Sequence, residues 1–460
     1  MCAMSSKAAA IALAVAFATA LCVCLLTLAV VGALFLGLAS RVTSPLSPNA
    51  PPILPPPFIP TPTLSATQTA QEIESAMDEI EQQVMTLRGL SAPGPVDRQL
   101  MTPDELKAYN IKSFEEDYSR DEARDDTLSL AAFGLLEPSF ELYDFYIDLY
   151  SEDILGMYDD EARQLFVITD RGTLGAVERV TFAHEFQHVL QDQNYGLAAL
   201  GLSDEGWEED SERSAGAQAL IEGEATLLEQ IWQDKYFTEA DWDDYYANAY
   251  ADPDSAYFRA PAYLQKDFYF PYDQGYQFVK RLYDRGGWAE VDAAYKNQPV
   301  STEMILHPEK YDADETPQIV AATVLTDTLG AGWRQVDSGV MGEWYTSLVL
   351  EQHLAENTAA TAAAGWGGDH YTVSHDEAAN QTAAVWHMVW DTTSDAEEFV
   401  DAFKEYGDAR FGGTAEIGDG SLCWKNTSAA TCLYFSPQAA LWIYAPDEAT
   451  LEKLKGSVDF

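Results

Sequence analysis

The chain has 460 residues, which is enough for two domains that each have a hydrophobic core. Hydrophobic residues make up 47% of it and aromatic residues 12%, which excludes an intrinsically disordered protein. Its 75 acidic and 26 basic residues give a net charge of −49, and this argues against binding to nucleic acid or to anionic lipid, because both need clustered Lys and Arg. We interpret the acidic surface as solubilising, with a specific cation-binding role as the alternative.

An uncharged apolar segment covers residues 8–40 and is long enough to span a bilayer with some tilt. We predict an uncleaved signal anchor over residues 1–40, with a cleaved signal peptide as the alternative. The proline-rich residues 44–63 predict an extended linker within residues 41–70. The acidic remainder is therefore expected outside the cell membrane on a single-pass anchor, or secreted if the anchor is cleaved.

The first folded domain is predicted over residues 71–315, and two helices open it. Apolar residues follow helical spacing from Ile73 until Gly89, which ends the first helix. Thr102, followed three residues later by Glu105, predicts the start of the second helix through a capping box.

The stretch DILGMYDDEARQLFVITD predicts a β-hairpin with strands over residues 154–158 and 164–169. A helix over residues 176–194 comes next, and Gly196 ends it. The most informative motif of the chain therefore lies in the middle of a helix that directly follows a strand.

That helix contains TFAHEFQH, in which His184 and His188 lie four residues apart. Residues at this spacing project from one helix face, so both imidazoles can bind one ion, and neutral imidazole suits zinc. Glu185 is rotated by one helical step and can act as a general base on a water without binding the ion. Two buried structural histidines are the alternative. Asp192 is either a partner that orients the imidazole of His188 or a solvated helix residue.

A catalytic zinc commonly has three protein ligands, and the helical segment ALIEGEAT offers Glu222 or Glu224 as the third. The two side chains point in different directions, so only one of them can face the ion. Gly223 between them weakens a helix, which predicts that another backbone approaches closely at this position.

HEFQH followed by a helix that carries the pair EG resembles the gluzincin metallopeptidases, over roughly residues 153–283. The resemblance implies a zincin-like α+β domain, and its aminopeptidase branch selects Glu222 as the third ligand. That branch also has a tyrosine in a Pro-Tyr-x-x-Gly stretch, which FPYDQG matches with Tyr272 and Gly275. The resemblance implies that this hydroxyl stabilises an oxyanion, and His307 is the competing donor.

The resemblance thus implies peptide-bond hydrolysis by a water on Zn²⁺, which His184, His188 and Glu222 hold while Glu185 acts as general base. The expected partner is a peptide or protein substrate that adds a strand to one of the two hairpin strands. No motif for binding the free amine of a substrate is visible, so aminopeptidase specificity is not implied. The alternative is a non-catalytic, membrane-anchored binding or envelope protein with a structural zinc site.

A second α+β domain is predicted over residues 316–460, where helices and strands mix without regular alternation. QTAAVWHMVW, CLYFS and AALWIY are expected to be strands, and the glycine-rich GGDHYTVSHDE is expected to be irregular. Ser394 and Glu397 are expected to cap a helix that Gly407 ends.

The pair Cys423 and Cys432 brackets a short polar turn in the second predicted domain. Such an isolated pair is typical of a hairpin disulfide in an oxidising compartment, which agrees with a position outside the cell membrane. Two reduced, half-buried cysteines are the alternative.

Overall fold

The computed structural model describes residues 70–152, 156–160, 162–168, 173–203, 206–207, 210–249, 253–426, 429–458 and 460. The predicted anchor and nearly all of the predicted linker lie outside these residues. Within the described ranges, no helix is both long and apolar enough to cross a bilayer.

The described chain is a mixed α+β fold, as the sequence predicts. Before residue 316 the helices are α1 (Ala70–Arg88), α2 (Pro103–Asp117), α3 (Arg120–Phe133), α4 (Leu142–Glu152), α5 (Ala176–Tyr195), α6 (Ser211–Tyr236), α7 (Glu239–Asn248), α8 (Ala256–Arg259), α9 (Ala262–Gly286), α10 (Trp288–Ala294), α11 (Thr302–Leu306) and α12 (Pro308–Asp312). The strands of this part are β1 (Asp97–Met101), β2 (Gly156–Asp159) and β3 (Gln164–Ile168).

After residue 316 the helices are α13 (Thr326–Leu329), α14 (Gly342–Glu351), α15 (Glu356–Ala363), α16 (Thr393–Phe411) and α17 (Glu448–Lys455). The strands are β4 (Trp333–Gly339), β5 (Trp366–Asp376), β6 (Gln381–Trp390), β7 (Glu416–Gly418), β8 (Ser421–Lys425), β9 (Ala430–Ser436) and β10 (Ala439–Ala445).

The predicted hairpin is confirmed as part of a three-stranded sheet with the order β1–β3–β2. β3 pairs in antiparallel fashion with β2 and in parallel fashion with β1, so it is the central strand. An extended peptide therefore cannot add to β3, as one of our two expectations had it, because both of its edges are already paired. β2 is the edge strand that remains.

Local signals near the start of the described chain are confirmed. The apolar stripe of α1 is buried, and Gly89 follows the helix with φ 76°, a conformation that favours glycine. Thr102 and Glu105 form the predicted capping box at the start of α2, each side chain bonding the backbone N–H of the other.

An antiparallel seven-stranded sheet with the order β4–β5–β6–β10–β9–β8–β7 forms the C-terminal part. Alternate residues of its central strands face opposite sides. Trp386 and Trp442 pack into the larger core, whereas Val385 and Ile443 pack with Leu451 of α17 on the other face. Both faces of the sheet are thus covered.

The larger core also joins residues from both sides of residue 315. Tyr263 of α9, Leu348 of α14 and Trp386 of β6 belong to one cluster of buried side chains. The boundary between residues 71–315 and 316–460 stays a prediction, and the two parts share packed surface.

Two expectations for the C-terminal part are wrong. The N-cap of α16 is Thr392, which forms a capping box with Asp395, two residues before the predicted pair Ser394 and Glu397. The helix also continues past Gly407 to Phe411. Gly407 lies against the Trp424 ring, where a Cβ would overlap with the indole, so this glycine allows close packing inside the helix instead of ending it.

The stretch GGDHYTVSHDE, expected to be irregular, belongs to β5 except for its last residue. The strand pairs with β4 on one side and β6 on the other, with a register shift between Trp366 and Gly368. Pairing on both edges holds this glycine-containing stretch extended, and the bulge accommodates its glycines.

The predicted disulfide joins Cys423 of β8 and Cys432 of β9, which lie directly opposite each other in the ladder. The bond closes a loop with a sequence separation of nine. The short loop limits the chain entropy that the cross-link removes from the unfolded state.

We expect Cys423→Ala/Cys432→Ala to lower the free energy of unfolding by roughly 2–3 kcal/mol, the value for closing so short a loop. Guanidinium unfolding of both proteins, with and without a thiol reductant, measures this difference. The reductant should destabilise the wild type and leave the double variant unchanged. Equal stability of the two oxidised proteins would contradict the prediction.

Glu212, in the first turn of α6, links the helical part to the C-terminal part. Its buried carboxylate accepts hydrogen bonds from the backbone N–H and hydroxyl of Thr302, each 2.8 Å long. Gly342 at the start of α14, with φ 73°, packs so closely on this carboxylate that a Cβ would overlap with it. Burial raises the pKa of Glu212 from 4.5 to about 8 and outweighs the two hydrogen bonds, which lower it.

A carboxyl with a raised pKa in the folded state holds a proton that the unfolded chain has already lost. Its contribution to stability is complete below pH 4.5 and disappears as the pH rises through about 8. Glu212→Gln keeps the shape and an acceptor oxygen without the charge. As the pH rises from 4.5 to about 8, we expect the difference in unfolding free energy between Glu212→Gln and the wild type to change in favour of the variant. The change is at most about 1.4 kcal/mol per pH unit. Parallel slopes of unfolding free energy against pH for the two proteins would contradict this.

Candidate metal centre

α5 presents the two histidines of the motif to the interior. The helix begins after Gly175 and ends at Gly196, and most of its length is buried. The rings of His184 and His188 have centroids 5.0 Å apart, and both side chains are buried. The spacing of four residues therefore brings both imidazoles to one point, as predicted.

Glu222 of α6 completes a group of three donors. Its Oε2 lies 3.4 Å from Nε2 of His184 and 3.4 Å from Nε2 of His188. These separations are longer than a charge-assisted hydrogen bond of about 2.7–2.9 Å. Two ligands held about 2.1 Å from a tetrahedral zinc ion lie about 3.4 Å apart. The donor set and its spacing therefore fit a zinc ion.

Nε2 of His184, Nε2 of His188 and Oε2 of Glu222 have no hydrogen-bond partner within the described residues. Buried polar atoms are normally satisfied, because an unsatisfied one costs about 1–3 kcal/mol. A cation at the point where they converge would satisfy all of them.

Glu224 points away from this centre. Its carboxylate is buried and bonds the guanidinium of Arg88, the amide of Gln191 and the hydroxyl of Tyr295. Of the two candidate glutamates, the structure thus brings Glu222 and not Glu224 to the histidines.

The predicted close approach of backbones at Gly223 is observed. A Cβ on Gly223 would overlap with the carbonyl of Gly275 in α9, and a Cβ on Gly275 would overlap with the carbonyl of Ala219. α6 and α9 therefore touch through their backbones, one residue away from Glu222. This contact also explains why a glycine lies three residues after Tyr272.

Glu185 lies beside the histidines without joining the three donors. Its Oε2 accepts a 2.9 Å hydrogen bond from the backbone N–H of Tyr158 in the edge strand β2, and the side chain is fully buried. Gly156 of the same strand packs on it, since a Cβ there would lie 3.5 Å from Cγ of Glu185. The helix and the edge strand together position this carboxylate.

Of the two predicted oxyanion donors, Tyr272 is the one near the centre. Its buried ring lies 6.4 Å, between centroids, from the ring of His184. His307 instead pairs with the buried carboxylate of Glu343, at 2.7 Å from Nε2 to Oε1.

Each imidazole has a partner on its outer nitrogen. Nδ1 of His184 lies 3.2 Å from Oε2 of Glu229, and Nδ1 of His188 lies 2.7 Å from Oε1 of Gln191. Asp192, which we considered as the partner of His188, accepts from the hydroxyl of Tyr158 at 2.9 Å instead. The outer partners face the imidazole nitrogens that the three-donor group does not use.

Sequence reasoning missed both outer partners, although weak signals for them exist. Glu229 follows Glu222 by seven residues, which is two helical turns and therefore the same face. Gln191 follows His188 by three residues, also on a shared face.

The electrostatics of the centre favour a bound cation. Burial lowers the pKa of His184, but the carboxylates of Glu222 and Glu229 outweigh it and raise this pKa to about 10. Burial raises the pKa of Glu222, but the neighbouring imidazoles of His188 and His184 bring it down to about 2. The buried carboxylates thus stabilise positive charge at the point where the three donors meet.

A second acidic group consists of Glu303, Glu315 and Asp391. The ammonium of Lys310 lies among these carboxylates, 2.7 Å from Glu303 and 2.8 Å from Glu315, and it also contacts Asp391. A cation of the chain itself therefore already pairs with all three carboxylates.

A family described as a domain of unknown function, DUF8575, matches residues 328–455. The matched residues run from α13 to the end of α17 and contain the seven-stranded sheet. They do not include the metal centre. No curated protein and no solved structure matches the chain.

Proposed function

We propose that the chain is a zinc-dependent peptidase of the gluzincin type, with a zincin-like domain around α5 and α6. The observation that carries this proposal is the convergence of Nε2 of His184, Nε2 of His188 and Oε2 of Glu222, each pair of nitrogen and oxygen 3.4 Å apart. Three protein ligands are the usual set of a catalytic zinc, which keeps a further position open for water or substrate.

When bound, a zinc ion would polarise the substrate carbonyl and lower the pKa of an attacking water. Glu185 would accept the proton of that water and deliver it to the departing amine. Its hydrogen bond from the N–H of Tyr158 fixes one carboxylate oxygen, so the carboxylate has a defined orientation. Tyr272 would donate a hydrogen bond to the oxyanion.

The peptide substrate would lie along β2, the edge strand whose residue Tyr158 contacts Glu185. Backbone hydrogen bonds between an extended peptide and an edge strand do not depend on side chains. This mode of binding would therefore hold the scissile bond beside the centre for many sequences.

A structural zinc in a non-catalytic binding protein is the competing function. Structural sites usually have four protein ligands, often with cysteine. The group formed here, among the residues that the structure describes, has three ligands and no cysteine. A buried carboxylate beside them, Glu185, has a use in hydrolysis and none in a closed structural site.

We also propose that the enzyme acts outside the cell membrane, where its predicted anchor would hold it. The disulfide between Cys423 and Cys432 supports an oxidising compartment, because such bonds are rare in the cytosol.

Zinc analysis and peptide cleavage by the full chain in detergent test the proposed function. We expect one zinc ion per chain and cleavage of an unfolded protein that stops with a chelator and returns with zinc. Glu222→Ala is expected to lose both the ion and the cleavage. Glu224→Ala does not test the loss of a ligand, because Glu224 faces Arg88 and not the three-donor group. One zinc per chain without any cleavage would favour the structural site.

A further inference from the structure

A buried chain of hydrogen bonds leads from the metal centre to the first helix. Nδ1 of His188 contacts Oε1 of Gln191 at 2.7 Å, and Nε2 of Gln191 donates to Oε2 of Glu224 at 2.9 Å. Glu224 in turn pairs with Arg88, the last residue of α1. All four residues are at most 4% exposed.

The contacts of Gln191 fix the orientation of its amide. Its Nε2 lies 2.9 Å from the carbonyl of Ile221 and 2.9 Å from the carboxylate of Glu224. Carbonyl and carboxylate oxygens only accept hydrogen bonds, so the NH₂ group must face them. The carbonyl oxygen of Gln191 therefore faces His188 and requires a proton on Nδ1.

A proton on Nδ1 leaves the lone pair of His188 on Nε2, the atom that faces Glu222. This is the tautomer that a metal ion at the three-donor group needs. The position of the Glu224 carboxylate depends on Arg88. The guanidinium of Arg88 also bonds Asp292 at 2.5 Å and lies over the Trp288 ring, 4.7 Å from its centroid.

We propose that Gln191, Glu224 and Arg88 are positioning residues for the metal centre. Gln191 holds the imidazole of His188 in the orientation and tautomer for metal binding, and the ion pair of Glu224 with Arg88 holds Gln191. The inference deepens the proposed function and rests on its zinc site. It also makes the centre depend on α1, through the ion pair of Arg88 with Glu224.

The test measures zinc affinity of the full chain by competition with a chromophoric chelator, together with the visible absorption of the cobalt-substituted protein. Gln191→Leu removes the amide at similar volume and is expected to weaken zinc binding by about 10–100-fold, the usual effect of losing an outer partner. The cobalt absorption should change as well, since the ring of His188 can then rotate.

Gln187→Leu is the matched control. Gln187 is equally buried one turn earlier on α5, and its amide has no hydrogen-bond partner among the described residues. We expect its zinc affinity within about twofold of the wild type. Glu224→Gln, which is nearly isosteric, is expected to weaken zinc binding by about tenfold or more without touching the ion. It serves as the second variant if Gln191→Leu does not fold.

Thermal unfolding establishes that each variant is folded before its affinity is compared. Wild-type affinity and an unchanged cobalt spectrum in folded Gln191→Leu and Glu224→Gln would overturn the positioning role while the proposed function stands. A wild-type chain that binds no zinc would overturn both proposals. Weakened binding in these two variants, with normal binding in Gln187→Leu, supports the positioning role whether or not a given peptide is cleaved.

Discussion

Glu185→Gln is expected to lower kcat for peptide hydrolysis by about 10²–10⁴-fold, the contribution of a positioned general base. Zinc content should stay at one ion per chain, because Glu185 does not belong to the three-donor group of His184, His188 and Glu222. The amide keeps the volume of the carboxylate and can still accept from the N–H of Tyr158 through its oxygen, so the fold should not change.

Glu178→Gln is the matched control for this prediction. It makes the same exchange on the same helix, in the first turn of α5 and seven residues before Glu185. We expect wild-type kcat and wild-type zinc content for it. Full activity of Glu185→Gln would contradict the role of Glu185 as base, and loss of zinc from this variant would make Glu185 a ligand instead.

Local signals in the sequence predicted the elements that local interactions decide. The capping box at Thr102 and the end of α5 at Gly196 involve residues within one turn of each other, and both are observed. The end of α16 was predicted wrongly because Gly407 packs on Trp424, a residue of strand β8. That contact cannot be predicted from the spacing of residues along the chain.

The same distinction applies to the metal centre. Two imidazoles four residues apart on a helix share a face whatever surrounds them, so the sequence predicts that they converge. The choice between Glu222 and Glu224 needed the family resemblance, because it depends on which face of α6 packs on α5. Arg88 was not predicted at all, since it meets Glu224 across 136 residues of sequence.

Gly223→Ala is expected to have the second large effect. Two opposing contributions to stability, helix propensity and steric overlap, can be compared at this residue. Inside a helix, alanine is favoured over glycine by about 1 kcal/mol. If helix propensity decided the outcome, the variant would be more stable than the wild type. The structure leaves no space for the added methyl group, since a Cβ at this position would overlap with the backbone carbonyl of Gly275.

A flexible side chain can move away from an added methyl group, but a helix backbone cannot do so without moving the whole of α9. Overpacking commonly costs about 1–3 kcal/mol, and a backbone contact lies at or above the upper end. We therefore expect Gly223→Ala to lower the free energy of unfolding by about 3 kcal/mol or more, as measured by chemical unfolding. Zinc affinity should fall too, because the displaced helix carries Glu222.

Gly456→Ala is the control for the introduction of alanine at a glycine with helical backbone angles. Gly456 follows α17 with φ −71°, and a Cβ there would meet its nearest neighbours at 3.5 and 3.6 Å, which is ordinary contact. We expect its stability to be equal to that of the wild type or slightly higher. If Gly223→Ala were as stable as Gly456→Ala and bound zinc normally, α6 and α9 would not touch through their backbones. The close packing of α6 on α9 beside Glu222 would then be contradicted.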